Sequence, residues 1–301
     1  IYGQTDSGMT IIEGHLFLNG KKPIQHRSSY GLGEVIKAAL DNHTEHLVIS
    51  LGGIGSFDGG AGMLQALGAR FYDDEAQIVD MRKGADLIKY IRRIDLSGVH
   101  PQLAKVNIQL MSDFSSRLYG KKSEIMQTYE SLDLSQNEAA EIDNLIWYFS
   151  ELFKNELKIA MGPIERGGAG GGIAAVLNSL YQAEILTSHE LVNQITHLEN
   201  LIQQADLIIF GEGLKEEDQI LETTTIRIAE LTQQYNKPAI AICATNDKFD
   251  LFESLNVTAM FNTFIDMPDS YTDFKMGIQI RHYTVQALKL LKTQINLPLS
   301  Y

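Results

Sequence analysis

Hydrophobic residues along this chain fall into short runs that stop at glycine or polar clusters, alternating with stretches whose apolar positions recur at helical spacing. The first kind reads as strand and the second as helix. Asp6-Ser7-Gly8 leading into Met9 to Leu18 predicts a hairpin and its second strand, and Gly33 to Asn42 predicts a short amphipathic helix. His46 to Leu51 is an aliphatic, β-branched run that stops at Gly52-Gly53, as a buried strand entering a glycine turn does. A helix over Ala61 to Leu67 begins in the loop that follows. Strand Val106 to Met111 ends at Ser112-Asp113, a long polar helical stretch covers Glu124 to Leu157, and Gly167 to Gly172 opens a helix running through Tyr181. The last third alternates regularly: strand Leu207 to Phe210, helix Ile220 to Tyr235, strand Ala239 to Cys243, helix Leu251 to Leu255, strand Ala259 to Thr263 and helix Thr272 to Leu291. Strands separated by single helices predict parallel βαβ units and an α/β fold. The change from a strand-poor helical region to this alternation places a domain boundary near Asn200, giving domains 1–200 and 201–301.

Composition narrows the function. With 301 residues, 44% of them hydrophobic, the chain can bury one large core or two ordinary ones. A formal net charge of −13 argues against a nucleic-acid partner, whose phosphates need clustered Lys and Arg. It also means that a site for an anionic small molecule must be made positive locally, by backbone N–H groups, a few placed cations or a metal ion. No apolar run approaches the roughly 20 residues that span a bilayer, so no membrane partner is expected. The single cysteine, Cys243, lies in the apolar run Ala239 to Ala244 and reads as a buried thiol, which fits a reducing, cytoplasmic location.

Two stretches hold much of the glycine: six residues between Gly52 and Gly62, and five between Gly167 and Gly172. Glycine runs are tolerated where backbone takes positive φ or approaches something closely, either a ligand or another segment of the fold. The candidate ligand-binding positions are Gly52, Gly53, Ser56, Gly59, Gly60, Gly170, Gly171, Gly172, Gly211, Glu212 and Gly213. Asp58, Asp113 and Glu212 each follow an apolar strand or its glycine turn, and parallel topology brings such positions to one sheet edge. Carboxylates there can hold Mg²⁺ or take a proton from an attacking hydroxyl, and each alone can instead cap a helix.

Ser50 to Ala69, reading Ser-Leu-Gly-Gly-Ile-Gly-Ser-Phe-Asp-Gly-Gly-Ala-Gly-Met-Leu-Gln-Ala-Leu-Gly-Ala, resembles the signature G-G-S-A-T-N-D-G-G-A-G-M-L-Q-A-L-G-A of the bacterial glycerate kinase family. Further segments match in order. Ser28-Ser29-Tyr30-Gly31 resembles T-S-Y-G, Ile94 to Gly98 with Pro101 resembles I-D-L-S-G-L-D-P, and Ser112-Asp113 resembles C-D-V. Gly167 to Ala175 is similar to A-G-A-A-G-G-L-G-A, and Ala205 to Gly213 to A-D-L-V-I-T-G-E-G.

The resemblance implies phosphorylation of a hydroxyl of D-glycerate, with ATP and Mg²⁺ as cofactors. It also implies two α/β domains, one with a flavodoxin-like parallel sheet built from both chain ends, the other inserted and resembling restriction-endonuclease cores. By it, Asp58 and Asp113 are the catalytic and metal-binding candidates, the glycine loops bind the anionic substrate and the nucleotide, and a homo-oligomer is allowed. Asp58, Asp113 and Glu212 are expected to line one interdomain cleft, and Asp58→Asn to weaken Mg²⁺-dependent nucleotide binding or abolish phosphorylation of glycerate, with the fold intact.

The chain also departs from the family. Ile54 and Phe57 replace Ser and Asn of the signature, F-G-P-Q-K-G has no counterpart around Thr128 to Asp133, and G-E-G-R-L-D becomes Gly211-Glu212-Gly213-Leu214-Lys215-Glu216. The family's opening D-S-F-K-G and D-G-G-E-G-T motifs have no counterpart, and the chain begins Ile1-Tyr2-Gly3 within what reads as a strand, so a preceding segment is expected. Loss of these cations leaves a second reading open, a non-catalytic metabolite-binding or regulatory relative.

Overall fold

The computed structural model describes residues 2–5, 8–17, 22–53, 55–212, 224–243, 249–262 and 273–294. By its internal contacts the chain divides into two units, Ile1–Thr187 and Ser188–Tyr301.

In the first unit, β1 (Gly3–Gln4) forms a hairpin with β2 (Met9–Glu13), α1 (Tyr30–Asp41) leads to β3 (His46–Ser50), and α2 (Ala61–Ala66) follows the signature loop. Next come β4 (Arg70–Tyr72), β5 (Arg93–Asp95), β6 (Asn107–Met111), α3 (Glu124–Thr128), α4 (Gln136–Leu157), α5 (Ile173–Tyr181) and β7 (Glu184–Leu186). The main sheet has the order β1-β2-β3-β6-β7, parallel except for the β1 edge. β3 is central and buries Leu47, Val48 and Ile49, which is why its sequence is continuously apolar rather than alternating. β4 and β5 pair antiparallel in a separate small sheet that the hydrophobic pattern did not announce, since each supplies only three residues.

Two expected elements differ in extent. The strand read as Met9 to Leu18 stops at Glu13 and continues as a 3₁₀ turn over Gly14–Phe17, because pairing with β3 ends where Glu13 faces Ser50. The helical stretch from Glu124 to Leu157 is broken. α3 gives way to a 3₁₀ turn capped by Asp133 in the left-handed region, and Ser135 with Glu138 then forms a capping box that starts α4 afresh. α4 buries Ala139, Ile142, Ile146, Phe149 and Phe153, one stripe at helical spacing. Phe149 stacks edge-on with Phe71 and Phe153, so this helix closes the core beneath the signature loop.

The second unit holds α6 (Ser188–Thr196), α7 (Leu198–Gln204), β8 (Ile208–Glu212), α8 (Thr224–Gln234), β9 (Ala239–Cys243), α9 (Phe249–Ser254), β10 (Ala259–Asn262) and α10 (Asp273–Gln294). Its sheet has the order β10-β9-β8, all parallel, as the alternation predicted. β9 is buried along its whole length, Cys243 included. Asn200, near which the sequence placed a boundary, lies inside α7. No described helix is long and apolar enough to cross a membrane.

Candidate active site

Strand register decides what meets at the carboxyl edge of the main sheet. Ser50 lies beside Met111, and Met111 beside Leu186. Leu51 N–H donates to the Met111 carbonyl at 2.9 Å and Ser112 N–H to the Leu186 carbonyl at 2.8 Å, which carries the pairing one residue past each strand. The signature loop after β3 and Asp113 after β6 therefore leave the sheet side by side, in the position where open α/β folds bind ligands. Gly52, Gly53 and Asp113 are exposed there.

The rest of the signature loop is buried. Ser56, Phe57, Asp58, Gly59 and Gly60 are all sealed from solvent. The Asp58 carboxylate accepts four hydrogen bonds. Ser29 N–H at 2.8 Å, Ser29 Oγ at 2.9 Å and Gly62 N–H at 3.2 Å donate to Oδ2, and Gly60 N–H at 3.0 Å donates to Oδ1. A carboxylate offers about four lone-pair directions, so this set uses its accepting capacity. Burial pushes its pKa above the ordinary carboxylate value, and the Ser29, Gly62 and Gly60 donors oppose that rise. Ser29 Oγ in turn accepts from Met63 N–H at 2.8 Å, tying the start of α1 to α2.

The second glycine loop packs directly on the first. Gly59 N–H donates to the Gly171 carbonyl at 3.0 Å, and a Cβ on Gly171 would overlap the Ser56 carbonyl oxygen. Gly170, Gly171 and Gly172 all have positive φ and are buried, so close approach of backbone to backbone accounts for glycine there. On the other side of the same turn Glu124, the first residue of α3, accepts the Gly171 N–H at 3.2 Å and also the Gly170 N–H. Burial pushes the Glu124 carboxyl up to about 7, against the pull of those two donors.

A carboxyl with a folded-state pKa near 7, above its ordinary 4.5, contributes stability that is fully present below about 4.5 and is lost as pH rises through about 7. Thermal unfolding at about pH 5 and about pH 8 is therefore expected to show Glu124→Gln gaining on the wild type as pH rises. An unchanged difference between the two proteins would show that Glu124 is not held as a buried acid.

A cation also reaches the signature loop. Arg27 Nη1 donates to the Gly55 carbonyl at 3.2 Å, and its Nε donates to the Lys22 carbonyl at 2.8 Å. Arg27 stands directly before Ser28-Ser29-Tyr30-Gly31, so its place beside a matched motif was the available signal. Glu124 carried none, since nothing in its local sequence sets it apart from other helix-start glutamates. Among the described residues no group of three or more His, Cys, Asp and Glu side chains could hold a metal ion. Gly211 and the Glu212 backbone close β8 in the second unit, and the Glu212 side chain and Gly213 lie outside the described residues.

The segments singled out by motif thus interlock: 28–31 with 58–63 through Asp58, 56–60 with 167–172 through backbone, and Gly68 with Gly98, whose carbonyl leaves no room for a Cβ at Gly68. A family model described as the glycerate kinase family matches residues 7–279. The chain belongs to that family. It is 31% identical over 231 residues to a glycerate kinase of Halalkalibacterium halodurans, covering 77% of this chain and 60% of the relative. It is 29% identical over 236 residues to the glycerate 2-kinase of Escherichia coli K12, covering 78% and 61%. Against a solved structure from Salmonella typhimurium LT2 that bears the name glycerate kinase 2, the TM-score is 0.82 at 27% identity, over 98% of this chain and 79% of that one. This glycerate kinase family chain thus spans about three fifths of the length of these two relatives.

Proposed function

We propose that the protein to which this chain belongs transfers the γ-phosphoryl group of ATP to a hydroxyl of D-glycerate. The observation that carries the reading is the exposed Asp113 beside the exposed Gly52-Gly53 turn at the carboxyl edge of a parallel sheet, in a chain of this family. Asp113 is the group to take the proton from the attacking hydroxyl or to hold Mg²⁺. Mg²⁺ commonly binds through one or two carboxylates, with waters and substrate phosphates completing the shell, so a single exposed carboxylate suits it better than a cage would. When bound, the ion neutralises charge on the phosphates. Arg27 supplies positive charge to the Gly55 segment of the loop, in a chain that is otherwise acidic.

Asp58 takes a different part in this proposal from the catalytic and metal-binding one that the resemblance implied. With its accepting capacity directed to Ser29, Gly60 and Gly62, it holds the loop and leaves substrate contact to Asp113. The name of the E. coli relative favours the 2-hydroxyl as acceptor. The flavodoxin-like and inserted-domain descriptions, with a cytoplasmic location, belong to the same proposal.

The test uses the full-length protein. ADP release with glycerate, read by a coupled assay, is expected to fall by about 10²-fold or more in Asp113→Asn with the melting temperature unchanged. Calorimetry is expected to show ATP binding that depends on Mg²⁺, because carboxylates repel free ATP. The replacement of the family's arginine by Leu214-Lys215 favours the non-catalytic alternative. Glycerate binding without ADP release by the wild type would establish that alternative.

A further inference from the structure

We propose that Glu124 is a positioning residue of the active site, setting the signature loop through the backbone of Gly171. This rests on the kinase reading for its consequence in catalysis, but not for the coupling itself. The Gly171 backbone is engaged on both sides of its Cα. Its N–H donates to Glu124 Oε2 at 3.2 Å, and its carbonyl accepts from Gly59 N–H at 3.0 Å. Gly59 stands between Asp58 and Gly60, and a Cβ there would lie 2.8 Å from Phe149 Cδ1, so the loop cannot retreat toward α4. Gly172 is equally confined, since its Cβ would lie 2.8 Å from Gly59 Cα. A shift of the Gly171 backbone is therefore passed to Gly59 and so to the buried part of the signature loop.

The same contact settles what the second glycine loop does. A run of glycine N–H groups is a ready cradle for an anion, and the sequence pointed to phosphate. Here the Gly170 and Gly171 N–H groups are directed to the protein's own carboxylate. Glu124 thus stands where an external anion would otherwise sit, and the loop is a brace between α3 and the signature loop rather than a phosphate cradle.

Ionisation of Glu124 strengthens its hold on the Gly171 N–H, and the Gly171 carbonyl, one Cα further on, moves with it, so the charge state of Glu124 reaches Gly59 as a shift of backbone position. Charged groups on the segments packed around Glu124 include Arg117 (bridged to Ser123), Asp143 of α4, Glu165 and Arg166 before the glycine loop, Asp58 in the signature loop, and Lys121 and Lys122 on its own segment. Burial raises the pKa of Glu124, and the Gly171 and Gly170 amide donors oppose that rise.

The experiment follows the amides of Gly170, Gly171 and Gly59 by heteronuclear NMR on the full-length protein, between about pH 5.5 and about pH 8.5, in wild type and Glu124→Gln. The wild-type Gly170 and Gly171 protons are expected to move downfield as pH rises, with one midpoint near 7, because a carboxylate is a stronger acceptor than its acid. Gly59 is expected to follow with the same midpoint and a smaller amplitude, and Glu124→Gln to abolish all three titrations. Titrations that persist in Glu124→Gln, or a Gly59 amide that stays still while Gly171 moves, overturn the proposal.

The full-length protein carries the catalytic arm. There Glu124→Gln is expected to lower kcat/KM for glycerate by about tenfold, the size of a weakened hydrogen bond to a charged group, and to remove an ionisation near 7 from its pH profile. A coupled NMR titration with no ADP release from the wild type would overturn the kinase reading and leave the Glu124 linkage standing.

Discussion

Asp58→Asn is expected to lower the stability of the first unit by about 3 kcal/mol, because the amide cannot satisfy the donors that converge on the carboxylate. Oδ2 accepts three hydrogen bonds and Oδ1 one. The asparagine oxygen must take the Oδ2 place, which leaves its NH₂ pointing at the Gly60 N–H, donor against donor in a site with no access to water. The three remaining hydrogen bonds also lose their charge assistance. For a unit of this size the loss corresponds to a fall in melting temperature of about 6–12 °C. Differential scanning calorimetry of the two proteins reads it directly. The resemblance led to the opposite expectation, a folded variant with weakened nucleotide binding. A wild-type melting temperature together with lost Mg²⁺-dependent ATP binding would restore that expectation and return Asp58 to the metal.

Gly171→Ala is expected to cost about 3–5 kcal/mol, the range of severe single changes. Two independent causes add. The residue sits at φ 62°, where alanine is strained, and the added Cβ meets the Ser56 carbonyl oxygen as well as Phe57 Cα at 2.9 Å. These are backbone atoms on a loop already held by Asp58, so neither side can swing away. Relief requires the two loops to part, which breaks the Gly59 to Gly171 hydrogen bond. Gly52→Ala is the matched control: a Cβ there meets nothing within 4 Å, and a change within about 0.5 kcal/mol is expected. Urea denaturation of both variants separates them. A Gly171→Ala protein within about 1 kcal/mol of wild type would mean that the loops do not pack as closely as drawn.

The glycines of the two runs looked alike as sequence, and the structure divides them by burial. Gly52 and Gly53 face solvent, and a Cβ on Gly52 would meet nothing within 4 Å, whereas Gly59, Gly60, Gly171 and Gly172 are buried, with no open space for a Cβ against residues such as Ser56, Phe149 and Val176. A glycine that admits a ligand and a glycine that admits a neighbouring loop carry the same letter. Only the position of the second segment distinguishes them.

The local rules were sufficient for five of the parallel strands; β7, only three residues long, carried too little signal to be read. β3, β6, β8, β9 and β10 were legible because a buried strand must be continuously apolar and must end where the chain turns, and both signals lie within a few residues. Family membership was legible from the matched segments themselves, and these are segments that contact one another in the fold. The β4–β5 pair and the break between α3 and α4 were not legible, because three-residue strands and a single capping box are overridden or selected by what packs on them. The site divided along the same line. That Asp58 and Asp113 follow strands could be read from the chain; that Asp58 is buried under four donors while Asp113 is exposed could not. Burial is a property of everything that closes over a side chain, here Ser29 from 29 residues away and the glycine loop from more than a hundred, and hydrogen bonding and pKa follow from it.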